Sequence, residues 1–320
     1  RCSSTRLRAR CLRKRIPSPA PSAAPLLPHL DISEEIVEAI DKDIPIVALE
    51  SAVLTHGLPY PQSFQTALEC EALIRANGAI PATLAVIDGR IKVGLTEDEI
   101  KKMCLDPHFI QMSRKDLPIV VANKLNGSTT VATSILISRM VGIKVLATAG
   151  IGGVHRNGSK SFDISRDLQE VASNNICVVC SGPKSIIDIG LTLEYLETYG
   201  VPVLGYRTPN MPAFYTRDSG LKLDYMLETS AEIGKTIKTK WDIGLIGGVL
   251  VTNPISEEYA LDEDLVEETV EETLEEAVGI EEYRKDPTPL FLKKLYEKTN
   301  GMSLQAYIEI IKSNVQAGSK

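Results

Sequence analysis

The chain has 320 residues, 43% of them hydrophobic, and a formal charge of −7. That length admits one large α/β domain or two smaller ones, and no run of 18 apolar residues marks a membrane span. Seven Arg or Lys and no acid fall in residues 1–30, which leaves −14 on the remainder; an acidic body argues against a general nucleic-acid binder.

Residues 1–30 also hold five prolines between Pro17 and Pro28. Such an Arg- and Ser-bearing stretch reads as a mitochondrial transit peptide or as a disordered basic extension, so mitochondrial and cytoplasmic locations both stay open. The folded domain is then expected over residues 31–320. Six cysteines show no disulfide-framework spacing, which suits a reducing compartment. Cys177-Val-Val-Cys180 matches CxxC but sits in an apolar run, where packing is the stronger reading than redox or zinc chemistry.

Asp31–Asp43 reads as a short helix and Ile44–Leu49 as a buried strand that delivers Glu50 at its end. A carboxylate directly after an apolar strand is costly unless paired or at a rim, so Glu50 is either a satisfied structural group or a catalytic one. Gln62–Asn77 is helical by periodicity. Pro81–Val86 and Arg90–Gly94 form a hairpin across Asp88-Gly89. Leu95–Met103 is a helix with Thr96 as N-cap and Glu99 three residues on, a capping box. Ile110–Lys115 and Leu117–Ala122 read as strands. Asn126–Thr130 precedes the helix Val131–Val141, whose first N–H groups could face a phosphate or be capped in the ordinary way.

Lys144–Ala149 and Ile176–Cys180 are short β-branched runs that break into glycine, the mark of strands covered on both faces. Polar residues gather after them: Gly150–His155, Asp163–Asp167 and Ser181–Lys184. Ligands in open α/β sheets sit at such strand ends. Lys184, at the junction with a helix over Ser185–Tyr199, is either a turn lysine or a nucleophile able to form a Schiff base with a sugar aldehyde. Asp163 and Asp167 are four apart and share a face if the segment is helical, where two carboxylates could hold a divalent cation; capping is the alternative. Val201–Tyr206 and Gly244–Thr252 are further strands, and Ala231–Trp241, Pro289–Thr299 and Ser303–Val315 are helices. Thirteen acids between Glu257 and Glu282 interleave with Leu261, Leu265, Val270, Leu274 and Val278, a solvated amphipathic helix. The alternation of strand and helix argues for one layered α/β domain.

Many collinear blocks then carry a resemblance: V-A-L-E-S (47–51), H-G-L-P-Y-P-Q (56–62), N-G-S-T-T-V-A (126–132), G-I-G-G-V-H-R (150–156), F-D-I-S (162–165), S-G-P-K-S-I-I-D (181–188) and T-L-E-Y-L-E-T (192–198). From about residue 32 to the C-terminus the chain resembles pseudouridine-5′-phosphate glycosidase, the indigoidine synthase A-like family. The resemblance implies a three-layer α/β/α domain with a mostly parallel or mixed central sheet. It also implies a homotrimer, one divalent ion (manganese) per subunit, and cleavage of pseudouridine 5′-phosphate to uracil and ribose 5-phosphate. By the same resemblance Lys184 attacks C1′ of the ring-opened ribose, Glu50 is the proton donor and Asp163 the metal ligand. Val131 and Ser165, Arg166 and Asp167 contact the substrate, and Thr148 and His155 lie near the pocket. Some relatives of this kind are joined to a sugar kinase, so a fused or separate pseudouridine kinase is an expected partner.

Two positions depart from the family pattern. Gln111 stands where a substrate-contacting Lys is usual, and Tyr307 where S-L-x-x-N-I carries Asn. They keep open a weakly active homologue that binds a nucleotide or sugar phosphate, and a Schiff-base lyase for another sugar phosphate.

Overall fold

Apolar runs and amphipathic stretches alternate along the chain and become strands and helices in turn. The computed structural model describes residues 28–156, 158–281 and 287–320. Residues 1–27, which carry most of the transit-peptide reading, lie outside the described residues. The chain begins with β1 (Leu30–Ile32), α1 (Glu34–Asp41), β2 (Ile46–Leu49), α2 (Gln62–Ala76), β3 (Ile80–Ile87), β4 (Arg90–Val93) and α3 (Glu97–Leu105). It continues through β5 (Ile110–Met112), α4 (Leu117–Ala122), β6 (Gly127–Thr129), α5 (Val131–Val141), β7 (Val145–Ala147), β8 (Val154–His155), α6 (Gly158–Ser161) and α7 (Arg166–Ser173). Then come β9 (Cys177–Cys180), β10 (Ile187–Asp188), α8 (Ile189–Thr198), β11 (Val203–Tyr206), β12 (Tyr225–Leu227), α9 (Ser230–Asp242) and β13 (Val249–Thr252). The acidic helix α10 (Glu263–Val278), α11 (Thr288–Lys298) and α12 (Met302–Gly318) close the chain.

The main sheet runs β1-β4-β3-β2-β7-β9-β13-β11-β12, with β6 on β3 and β5 on β6. Its pairings are parallel except β3 with β4 and β3 with β6. Side chains alternate across it. Val47 and Leu49 of β2 pack in one core with Ile74 of α2, Val270 of α10, Leu295 of α11 and Ile310 of α12. Ala48, between them, packs in the other with Ile135 of α5, Leu168 of α7 and Leu196 of α8. The fold is therefore the expected single α/β domain, its mostly parallel sheet covered on both faces.

Four expectations are corrected. Leu117–Ala122 is a helix, not a strand: Pro118 occupies its first turn, where a missing N–H costs nothing. Asp31 lies in β1, and only Glu34–Asp41 is helical. The folded unit takes in residues 28–30, because Leu30 pairs with Ile91, and Ile91 N–H donates to the His29 carbonyl at 2.7 Å. The helix expected from Ser185 begins at Ile189, capped by the Asp188 side chain. The capping box on α3 forms with both of its bonds, and Cys177 and Cys180 are buried in β9, where burial pushes their thiols up to about 12.

Candidate active site

Chain connections leave β2 and β7 in opposite directions, β2 towards β3 and β7 towards β9. The crevice beyond the carboxyl ends of such neighbours is where open α/β sheets bind ligands. Here it is a cleft of two lobes. The first, about 190 Å³, is lined by Gln111, Ser113, Thr130, Val131, Gly152, His155, Ser165, Arg166 and Asp167. The second, about 410 Å³, is lined by Val53, His56, Gly57, Pro289, Leu292 and Tyr307. Glu50, Ala52, Gln111, Lys184 and Thr288 line both, so they form the seam.

Glu50 follows the last residue of β2 and is 8% exposed. Its position is set by the next residue. Ser51 N–H donates to Thr129 Oγ1 at 3.1 Å, and Thr129 N–H donates to Ser51 Oγ at 2.9 Å, which ties the turn after β2 to β6. Glu50 Oε2 is buried without a hydrogen-bond partner. Burial pushes this carboxyl up to about 7; the Lys184 ammonium pulls it down, Asp167 pushes it up, and the Thr148 hydroxyl pulls it down. A carboxylic acid that holds its proton near neutrality is a competent general acid.

Lys184 sits in a turn that precedes α8, not at the start of that helix. Two loops are zipped together to place it. Ser181 N–H donates to the Ala149 carbonyl at 2.9 Å, Ile151 N–H to Gly182 O at 3.1 Å, and Lys184 N–H to Ile151 O at 3.0 Å. Gly182 permits this approach: its φ is +85°, and a Cβ there would lie 2.2 Å from the Pro212 carbonyl oxygen. Asn314 of α12 holds the same loops from below. Its Nδ2 donates to the Thr148 and Ala149 carbonyls at 2.9 and 3.1 Å, and its Oδ1 accepts from Asn253 at 3.0 Å.

Asp167 is buried, and backbone donors engage both its oxygens. Ala132 N–H donates to Oδ1 at 2.8 Å and Gly152 N–H to Oδ2 at 2.9 Å. It therefore caps α5 and holds the glycine turn against α7, while its charge acts on Glu50. Asp163 precedes α7 in a non-helical segment, so the two carboxylates do not share a helix face. The Asp163 carboxylate is 56% exposed and lies 3.9 Å from His155 Nδ1. Among the described residues no three His, Cys, Asp or Glu converge as a metal cage.

Ser165 caps α7 and accepts from Asp167 N–H at 3.2 Å. Arg166 donates through Nε to Glu170 at 3.0 Å, and Arg114 donates to both Glu170 oxygens at 2.7 and 2.9 Å. Glu170, 1% exposed, thus fixes two guanidinium groups, that of Arg166 lining the first lobe. Asp167 and Thr130 already cap α5, so it is the Arg166 guanidinium that makes the first lobe the better place for an anion.

Of the ten residues singled out by sequence, Glu50, Gln111, Val131, His155, Ser165, Arg166, Asp167 and Lys184 line the cleft. Thr148 lies behind Glu50, 2% exposed, on a small internal cavity instead of the cleft. Asp163 stands at the rim beside His155. Sequence reasoning missed Ser113, Thr130 and Leu292 as lining residues, and Asn314 as the anchor of both loops. Asn314 had one signal, a polar residue among Ile310, Ile311 and Val315 on a buried helix face.

Residues 35–320 match the family described as indigoidine synthase A like protein. The chain is 50% identical over 291 residues to pseudouridine-5′-phosphate glycosidase of Caldanaerobacter subterraneus, covering 91% of this chain and 95% of that one. It is 49% identical over 292 residues to the enzyme of the same name from Clostridium botulinum, with coverage of 91% and 95%. Among solved structures it superposes on the prealnumycin C-glycosynthase AlnA in complex with ribulose 5-phosphate, with a TM-score of 0.83 at 36% identity over 91% and 94% of the two chains. An indigoidine synthase A-like protein of Thermotoga maritima gives 0.81 at 33% identity, with the same coverage.

Proposed function

This chain belongs to the indigoidine synthase A-like family, and from that premise we propose that it is a C-glycosidase that converts pseudouridine 5′-phosphate and water to uracil and ribose 5-phosphate. The observation that carries this reading is the seam: Lys184 and Glu50 line both lobes of one cleft, where a bond between two halves of a substrate would lie. Relatives about 50% identical along 91% of the chain bear that activity as their name, and a structural neighbour holds a five-carbon sugar phosphate.

A carbon–carbon glycosidic bond has no leaving heteroatom to protonate, so a carboxylate pair of the usual glycosidase kind is insufficient. In the proposed sequence the C1′–O4′ bond breaks as the N1 electrons of the pyrimidine feed into a C5=C1′ double bond, the N1 proton passing to the 4′-oxygen; the Lys184 amine then adds to C1′ of the ring-opened ribose and the pyrimidine regains its N1–H. Glu50 gives a proton to C5 of uracil. The C1′–C5 bond breaks and its electron pair returns to the pyrimidine, while the lysine nitrogen forms an imine at C1′. Water hydrolyses the imine and frees ribose 5-phosphate and the amine. Arg166 and Ser165 hold the phosphate end in the first lobe.

Asp163 suits a manganese-type ion, which accepts one carboxylate and completes its shell with water and phosphate oxygens. Its exposed oxygens are open to a cation, and His155 is the neighbouring donor. When bound, the ion would offset phosphate charge. The assay is uracil release from pseudouridine 5′-phosphate. Turnover with Mn²⁺, loss after chelation and recovery on re-addition are expected. No release under any metal condition would overturn the activity, and release unaffected by chelation would overturn the metal requirement. The proposed assembly, supported by the family resemblance, is a homotrimer; sedimentation at monomer mass would refute it.

A further inference from the structure

The first lobe holds the anion-binding groups. Among the described residues the second holds no Arg, Lys, Asp or Glu beyond Glu50 and Lys184 at the seam. Val53, Pro289, Leu292 and the Tyr307 ring share its lining with the polar side chains of His56, Gln111 and Thr288. Tyr307 is held in place: its ring is 5.4 Å from that of Phe214 and 6.4 Å from that of Tyr215, centroid to centroid, and it is 6% exposed. Gly57 makes room for it, since a Cβ there would lie 2.7 Å from the Tyr307 hydroxyl. Burial, Tyr215 and Glu50 all push the Tyr307 phenol well up, so it stays neutral. The lobe measures about 410 Å³, inside the roughly 300–1,000 Å³ of pockets that take drug-sized ligands. One pyrimidine ring would leave part of it unfilled.

On the functional reading above, C1′ sits at the seam and the phosphate end in the first lobe. The other substituent of C1′ then projects into the second lobe. We propose that this lobe is an aglycone subsite that accepts a neutral aromatic ring system larger than uracil, with Tyr307 setting the preference. An aromatic extension would meet the wall of Leu292, Pro289 and Tyr307 in place of water. The reaction keeps its balance for any aglycone with a nucleophilic ring carbon. In the synthetic direction the aldehyde of ribose 5-phosphate condenses with Lys184 and releases water. The ring carbon adds to the imine carbon, and Glu50 takes the proton from that ring carbon. The 4′-hydroxyl closes on C1′ as the lysine leaves as an amine. Sugar phosphate plus aglycone gives C-riboside phosphate plus water.

The test uses ribose 5-phosphate with uracil, 1-methyluracil or 1-benzyluracil, which share the reacting C5; the two alkylated rings both lack N1–H and differ only in bulk at N1. Products are read by mass as C-ribosides, and borohydride trapping of ribose 5-phosphate is run alongside. The expected kcat/KM for 1-benzyluracil is within about tenfold of that for 1-methyluracil. Tyr307→Asn is expected to lower the benzyluracil-to-methyluracil ratio by about tenfold with the KM for ribose 5-phosphate unchanged, while Tyr307→Phe keeps the ratio. If ribose 5-phosphate is trapped on Lys184 and uracil and 1-methyluracil react, but 1-benzyluracil falls more than about tenfold below 1-methyluracil, the subsite proposal is overturned and the functional reading stands. A ratio unmoved in Tyr307→Asn overturns the role of Tyr307. No adduct and no product with any aglycone overturns both readings together.

Discussion

Lys184→Ala is expected to lose uracil release by about 10³-fold or more and to form no borohydride-stable adduct with ribose 5-phosphate. The wild-type chain is expected to gain the mass of the reduced sugar phosphate on Lys184 alone. The physical basis is that among the described residues no other group at the seam can supply an amine. The other nitrogen-bearing side chains described in the two lobes are the Gln111 amide, the His56 and His155 imidazoles and the guanidinium of Arg166, which stays charged. Folding should survive the change. The Lys184 backbone bonds to Ile151 and Ile187 are independent of the side chain, and substitutions of partly exposed loop side chains usually stay within about 0.5 kcal/mol. An adduct that persists in Lys184→Ala, or one that maps elsewhere, would sink the imine mechanism even if the variant were inactive.

The covalent half of this site was legible because its blocks are local. Ser181–Lys184 and Gly150–His155 each sit at the end of an apolar run, and the run itself announces a buried strand. What was not legible is how the residues meet. That Glu50 approaches Lys184 depends on β2 and β7 being neighbours, a pairing made by residues almost a hundred apart in sequence. The turn holding Glu50 in place is tied to Thr129 of β6, a three-residue strand with no periodicity of its own. Leu117–Ala122 was misread for a related reason: an apolar run of six fits strand and helix alike, and the proline in its first turn was the deciding residue. Asp167 was read as a substrate or metal ligand from its type and spacing, yet both of its oxygens bond to backbone N–H groups of other elements. Residue type announces what a side chain can do; the tertiary partners decide which of those things it does.

Glu50→Gln tests the other half of the chemistry, because it keeps the shape of the side chain and removes the proton. Uracil release is expected to fall by about 10²–10⁴-fold, while Lys184 still traps ribose 5-phosphate, separating proton delivery from imine formation. The pH profile carries the sign. With burial holding the carboxyl up to about 7, the acid form dominates below that pH, so cleavage by the wild type should decline as pH rises through about 7. Synthesis needs the base form and should decline as pH falls through the same value. Lys184, Asp167, Tyr307 and Cys180 are ionisable groups acting on or beside Glu50, and Lys184 is required for the covalent step. The Glu50-dependent limb should therefore vanish in Glu50→Gln while any limb due to Lys184 remains. Stability obeys the same linkage. Between the ordinary carboxyl value near 4.5 and about 7 the folded chain holds a proton that the unfolded chain has released, so stability falls as pH rises across that window, by about 3 kcal/mol in full. Gln carries no ionisable proton. Relative to wild type, Glu50→Gln should therefore be more stable at pH 8 than at pH 5, as measured by denaturant midpoints at the two values. A wild-type difference that is flat with pH, or a neutral limb that persists in Glu50→Gln, would show that Glu50 is ionised in the folded protein and that the proton comes from elsewhere.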